Sequence, residues 1–302
     1  MPTLSSPSRK QNSLLEDYFQ FLKRPDTVRS SGDSRAILAK IWRLYTVHLI
    51  LITLIALVIQ VLSTWIISIS ENKLGSILDS VTTAQFLFMA VVFAPLIEEV
   101  LFRLPLRFSR LNLGLPLVIV MFSLSSIAVG LIPVPLTGVS WLVLFALGTL
   151  LGAAVISRLD RKGGSRLFSQ HLRGLTYVSA IVFGSVHIMN YPQSAWVVMP
   201  ILVLPQTILG FLLVYVRIRF GFLWAVYTHA LHNLLVSSPI VLMMFGSDQL
   251  RQKFFDREAD VTLLPHDKIL EGVFLVWMLL ISAAVTVTVV RVLREWRANR
   301  LA

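Results

Sequence analysis

The chain has 302 residues, of which 56% are hydrophobic and only 14% charged, with a formal net charge of +11 and a mean hydropathy of +0.76. Soluble domains carry about 45–50% apolar and about 25% charged residues, so an ordinary water-soluble fold is excluded. The absence of cysteine excludes disulfides, thiolate metal sites and a cysteine nucleophile.

Residues 1–43 are polar and mixed in charge. No apolar stretch of the kind found in a signal peptide follows the start, so the segment reads as a cytosolic, mostly disordered tail. One short amphipathic stretch, Leu14 to Leu22, is placed either on the membrane surface or on the bundle. The remainder to residue 292 reads as a transmembrane bundle, followed by a basic cytosolic tail, 293–302.

A spanning helix needs about 20 mostly apolar residues. Eight such runs are expected: 44–70, 84–103, 113–132, 138–157, 175–190, 195–216, 221–244 and 271–292. The expected fold is therefore an all-α membrane protein with about eight transmembrane helices. With the N-terminus inside, 22 Lys and Arg fall on inner segments and 5 on outer ones. This is the positive-inside pattern. It places both termini in the cytoplasm and accounts for the net charge without nucleic acid. The outer loop 245–270 reads as a cap or a solvated loop.

Ionisable residues inside the spans are few, and each is costly there, so each is a functional candidate. They are Glu98, Glu99 and Arg103 in the second span, His187 in the fifth, and His229 and His232 in the seventh, followed by Asn233. His48 sits near the inner end of the first span and reads as structural; His171 and His266 fall in loops. At about 1.5 Å per residue, Glu98 lies about 8 Å, His229 about 12 Å and His187 about 18 Å from the inner end of its span. Three helices separated in the chain thus bring polar groups to the same half of the membrane.

Local spacing assigns partners. Glu99 and Arg103 are i, i+4 with the acid first, the favourable orientation. Glu98 is turned about 100° away and is free to face the bundle and accept a proton from water. His229 and Asn233 share a helix face, either to direct two donors at one oxygen or to bond across helices. His232 reads as a supporting residue behind them. Phe183 and His187 are also i, i+4, so the ring can pack on the imidazole. Pro95, three residues before Glu98, removes a helix hydrogen bond and is expected to kink the second span. Pro200 and Pro205 suggest a bent sixth span.

The motifs Glu98-Glu99-x-x-x-Arg103, Phe183-x-x-x-His187 and His229-x-x-x-Asn233 stand in order, each on an expected membrane helix. This resembles the CAAX protease and bacteriocin-processing family, also called the Abi or CPBP intramembrane proteases, over about residues 84–244. The resemblance implies a glutamate-dependent endopeptidase acting on a membrane-anchored peptide or protein. Glu98 would activate water with help from His187, His229 and Asn233 would stabilise the oxyanion, and Glu99 and Arg103 would orient Glu98. The family is usually labelled metallopeptidase. Glu98, His187 and His229 offer a carboxylate and two imidazoles to Zn²⁺, or they bind water directly; the metal-free form is the one expected, because Glu99 is tied to Arg103 and is not left to act as base.

Other intramembrane protease chemistries fit less well. There is no HExxH motif, no Asp in any span, and the one rhomboid-like candidate, Gly138-Val139-Ser140, lies at the outer side. Two rival functions remain: a non-catalytic membrane partner, such as a self-immunity or scaffold protein, and a proton-coupled transporter. Against the transporter, the polar groups cluster on one side and no inverted repeat is visible. The expected location is an integral, multi-pass position in a bacterial-type plasma membrane, with an organelle membrane as the alternative. No feature of the sequence bears on oligomeric state.

Overall fold

The computed structural model describes residues 13–30, 32–65, 81–131, 137–191, 193–238, 245–255 and 261–301. Among them there is no strand, and seven helices are long and apolar enough to cross a membrane. The protein is an all-α, integral, multi-pass membrane protein. The seventh expected span, 221–244, is not among these seven and is present as a 15-residue helix, Phe222–Val236; positions 239–244 lie outside the described residues, as does the end of the first expected span.

In chain order the helices are α1 (Leu14–Lys23) and α2 (Ser34–Trp65), then α3, built of Thr83–Phe88, a π-helical turn Met89–Phe93 and Ala94–Phe102. A 3-10 turn, Leu104–Leu106, follows. Next come α4 (Arg110–Leu131), α5 (Thr137–Arg161), α6 (Gly164–Gln170) and α7 (Leu172–Val186), the last continued by a 3-10 turn, His187–Asn190. After a second such turn, Gln193–Val198, the chain forms α8 (Met199–Leu202), α9 (Leu204–Arg219), α10 (Phe222–Val236), α11 (Asp248–Phe255) and α12 (Pro265–Leu301). The expected sixth span is thus broken: Val203 separates α8 from α9, and Pro200 and Pro205 each sit in a first helical turn, where a missing N–H costs nothing.

Helix α9 is the axis of the bundle. Leu209, Leu212, Leu213, Val214, Tyr215, Val216 and Ile218 are all buried, which identifies a helix surrounded on every side. It runs antiparallel to α7 at close range. A Cβ added at Gly210 would meet the Ala180 carbonyl at 2.9 Å, and one added at Gly184 would meet Thr207 Cα at 2.9 Å. Small residues permit this approach, as in membrane helix pairs generally. Helices α4 and α5 pair with each other, and most of their apolar side chains remain exposed, as suits contact with lipid.

The amphipathic stretch in the N-terminal tail lies on the bundle. Ser13 and Glu16 form a capping box that starts α1, satisfying two otherwise unpaired N–H groups. Leu15, Tyr18 and Phe21 are buried on one side. The Tyr18 hydroxyl pairs with His48 Nε2 at 2.8 Å, and its ring stands edge-on to Tyr215, 5.1 Å between centroids. His48 is buried in this contact, which confirms its structural reading. Arg219 at the end of α9 bonds both Asp17 (3.2 Å) and Asp26 (2.5 Å). In the loop 245–270, Asp267 is buried and accepts from the Ser247 backbone, the Ser247 hydroxyl and the Leu264 backbone. That part of the loop is therefore a fixed turn on the start of α12.

Candidate active site

Pro95 shapes α3 in a way that reaches across the site. Its missing N–H forbids regular helical pairing, and the chain responds with the π turn Met89–Phe93, in which the Ala94 N–H bonds Met89 O. Ala94 is therefore withheld from the Ala90 carbonyl, and the next position along is Pro95. The Ala90 carbonyl takes its hydrogen bond from another helix instead: Asn233 Nδ2 on α10 donates to it at 2.7 Å. The expected disturbance at Pro95 is thus a π turn, a form often found at functional sites, and it fastens α3 to α10.

One turn further on, Glu98 and Glu99 diverge. Glu99 and Arg103 are wholly buried, with Glu99 Oε1 3.6 Å from Arg103 Nη1. Glu99 Oε1 also accepts from His229 Nδ1 at 3.0 Å. Glu98 is about a quarter exposed, and its Oε2 lies 3.7 Å from His229 Nε2. His229 therefore stands between the two glutamates. Its Nδ1–H is directed at Glu99, so its Nε2 is turned toward Glu98.

Phe183 is the apolar wall of the cluster. It is fully buried, with the Arg103 guanidinium stacked over its ring at 3.8 Å. Its edge contacts place His187 at 4.9 Å and His229 at 5.4 Å between centroids. The packing of Phe183 on His187 is as the spacing predicts; its contacts with Arg103 and His229 depend on tertiary structure. His187 lies where α7 passes into its 3-10 turn, and its Nδ1 bonds the Phe183 carbonyl at 2.8 Å. The remaining nitrogen, Nε2, faces away from that bond, within the electrostatic reach of Glu98 and His229.

Further groups hold this frame. Arg103 Nη2 reaches the Gly210 carbonyl at 3.5 Å. Arg217 donates to the carbonyls of Arg103 (3.0 Å) and Leu104 (3.4 Å), capping the end of α3 from α9. The Ser179 hydroxyl donates to Phe102 O at 2.7 Å. His232 faces away from the glutamates and pairs with the Tyr45 hydroxyl at 3.3 Å. Sequence reasoning did not reach Ala90, Gly210, Arg217 or Tyr45. Three of these act through backbone carbonyls or a buried cap, which leave no spacing signal, and Tyr45 lies on a different helix from its partner.

Glu98, Glu99, Arg103, His187 and His229 are thus gathered around Phe183 and each other from α3, α7 and α10 or the residues that directly follow them, while Asn233, one turn beyond His229, is bonded to Ala90. Several polar atoms there are buried without a hydrogen-bond partner: Glu98 Oε2, Glu99 Oε2, Arg103 Nε and Arg103 Nη1. Buried polar groups are nearly always satisfied by protein or by ordered water, and these four have no partner from the protein. Among the described residues, no three His, Asp or Glu side chains are grouped as a metal-ion site. Glu98, His187 and His229 are the residues that would hold a zinc ion, with His229 bonded to Glu99 through Nδ1 and its Nε2 turned toward Glu98.

Fold and site together define a multi-pass membrane protein with a buried carboxylate–imidazole centre. A family model described as type II CAAX prenyl endopeptidase Rce1-like matches residues 156–235. The matched stretch contains Phe183, His187, His229 and Asn233, and it bears out the resemblance to the CAAX protease family; Glu98, Glu99 and Arg103 lie before it. No curated protein and no solved structure matches the chain.

Proposed function

We propose that this protein is an intramembrane endopeptidase of CAAX-protease type, in which Glu98 activates a water molecule. The carrying observation is the Glu98 Oε2 atom: buried, without a partner, and 3.7 Å from His229 Nε2. A carboxylate so placed accepts a proton from a water lying between it and the imidazoles. The water oxygen then bonds to the scissile carbonyl carbon, and the carbonyl oxygen becomes the oxyanion. As the C–N bond breaks, the proton held by Glu98 passes to the departing amine. A positioned base of this kind contributes about 10²–10⁴-fold.

The other residues take roles set by their contacts. Glu99 orients His229 through Nδ1, and Arg103 balances the charge of Glu99 from below. His187 is fixed by the Phe183 carbonyl and turns Nε2 toward the same water. Asn233 spends one amide hydrogen on Ala90 and has a second to offer the oxyanion. In this reading zinc takes no part. The distribution of basic residues puts the centre in the cytosolic half of the membrane, within reach of a peptide anchored in the bilayer. The name of the matched family makes prenylated C-terminal peptides the first substrates to try.

The test uses the protein in liposomes with a membrane-anchored reporter peptide. Wild type cleaves it, and Glu98→Gln does not, although its thermal unfolding is unchanged. Cleavage by Glu98→Gln at the wild-type rate overturns the assignment. Persistence of activity after exhaustive chelation supports direct water activation; its loss, with recovery on adding zinc, overturns the metal-free form.

A further inference from the structure

Helix α9 carries one more polar group toward this centre. Residues 206, 210, 213 and 217 follow one another at spacings of four, three and four and so lie along one helix face. Two of them meet the end of α3: the Gly210 carbonyl accepts from Arg103, and Arg217 donates to the Arg103 and Leu104 carbonyls. Gln206 continues this face by one turn, away from Arg217. Its level along the bundle follows from its neighbour, since Thr207 packs on Gly184, one turn before His187. The Gln206 Oε1 atom is buried and has no hydrogen-bond partner.

Glu98 Oε2 and Glu99 Oε2 are buried acceptors with nothing to accept, and Gln206 Oε1 is a third, on a helix that takes a bond from Arg103 and packs on Phe183 at Gly210; Glu99 already accepts from His229 through its other oxygen. One water has two hydrogens to give. We infer that Gln206 is a further catalytic residue of the site: it accepts the second hydrogen of the water that Glu98 deprotonates, and so directs the water's lone pair at the substrate carbonyl. This rests on the peptidase reading above and adds to it a residue outside the three motifs. Through such a bond the water is oriented before attack, so its loss reduces turnover and leaves substrate binding intact.

The experiment compares wild type, Glu98→Gln and Gln206→Met in liposomes with the anchored reporter peptide. Methionine keeps the length of the side chain and removes both polar atoms. Gln206→Met is expected to lower kcat roughly 100-fold, the size of effect that misplacing a reacting group produces, with KM unchanged. A wild-type kcat, or a raised KM at unchanged kcat, overturns the inference while a dead Glu98→Gln leaves the peptidase reading standing. A second readout is independent of activity: an experimental wild-type structure resolving waters is expected to show one within hydrogen-bond distance of both Glu98 and Gln206. A Gln206 carboxamide turned out to lipid, or no water between the two, overturns the inference even if Gln206→Met fails to fold or the reporter is not cut.

Discussion

Asn233 on α10 gives an amide hydrogen to the carbonyl of Ala90 on α3 at 2.7 Å, and that carbonyl is available because Pro95 lies five residues further on. A proline therefore places an asparagine in another helix. The replacement Pro95→Ala restores a backbone donor and lets α3 return to regular pairing. It removes a residue that costs about 3 kcal/mol in a helix interior, so the melting temperature rises. Asn233 loses its acceptor, and cleavage of the reporter peptide falls by about tenfold from the altered positioning. Increased stability with undiminished cleavage would show that the Asn233 contact does not serve the reaction.

Glu99 is bound by Arg103 on its own helix and by His229 on α10, all three being buried. Removing the carboxylate leaves the Arg103 charge uncompensated, a loss of about 3–5 kcal/mol for a buried pair. Glu99→Ala is expected to lower the unfolding temperature in detergent strongly. Glu99→Gln keeps an acceptor for His229 Nδ1 and is expected to fall between wild type and Glu99→Ala in stability. Equal unfolding temperatures for all three proteins would mean that the pair does not hold α3 to α10.

The spans and the three motifs are legible in the sequence because each is a local pattern: a long apolar run, or two polar residues one turn apart. Partner choice is not local. The i, i+4 spacing finds Arg103 for Glu99 and misses His229, which arrives from 130 residues away by the crossing of two helices. It finds His187 for Phe183 and misses Arg103 on the same ring. Helix α1 reads as amphipathic, but its Asp17, and Asp26 just beyond it, meet Arg219 about 200 residues later, so the docking of the tail on α9 has no signature in the tail itself. Gln206 has no polar partner one turn away and passes for an ordinary residue of an apolar helix.

Close packing of α7 on α9 sets the height of His187 and can be tested at one glycine. A methyl group at Gly184 would meet the Thr207 side chain and would lie 2.9 Å from Thr207 Cα. Because backbone is involved, a rotamer change does not relieve the contact, and the helices have to part. Gly184→Ala is expected to destabilise by about 1–3 kcal/mol, typical of overpacking, and to reduce cleavage by moving His187. Thr207→Gly removes the side-chain part of the clash, so the double variant is expected to recover part of the stability. A Gly184→Ala protein as stable as wild type would show that the two helices have slack at this level.

The attachment of the N-terminal segment to α9 carries its own pH dependence. Burial pushes the Asp26 carboxyl upward, but hydrogen bonds from Arg219 and from the Val28 N–H, with the Arg219 charge, hold it below its usual value on balance. A carboxylate with a depressed folded-state pKa contributes stability above its unfolded pKa of about 3.9 and loses it as pH falls through the lower folded value. The segment around Asp26 is therefore held through neutral pH down to about 4 and loosens below that. Protease cleavage near Lys23 and Arg24, or amide exchange across Leu14–Lys23, is expected to rise as pH drops from about 4.5 to 3. Arg219→Gln abolishes the pairing, so the segment opens already at neutral pH and the acid response flattens. Because Asp17 is also bonded to Arg219, Asp26→Asn alone is expected to loosen the segment only in part. Identical acid responses in wild type and Arg219→Gln would show that other contacts of α1, Tyr18 with His48 first among them, hold the segment on their own.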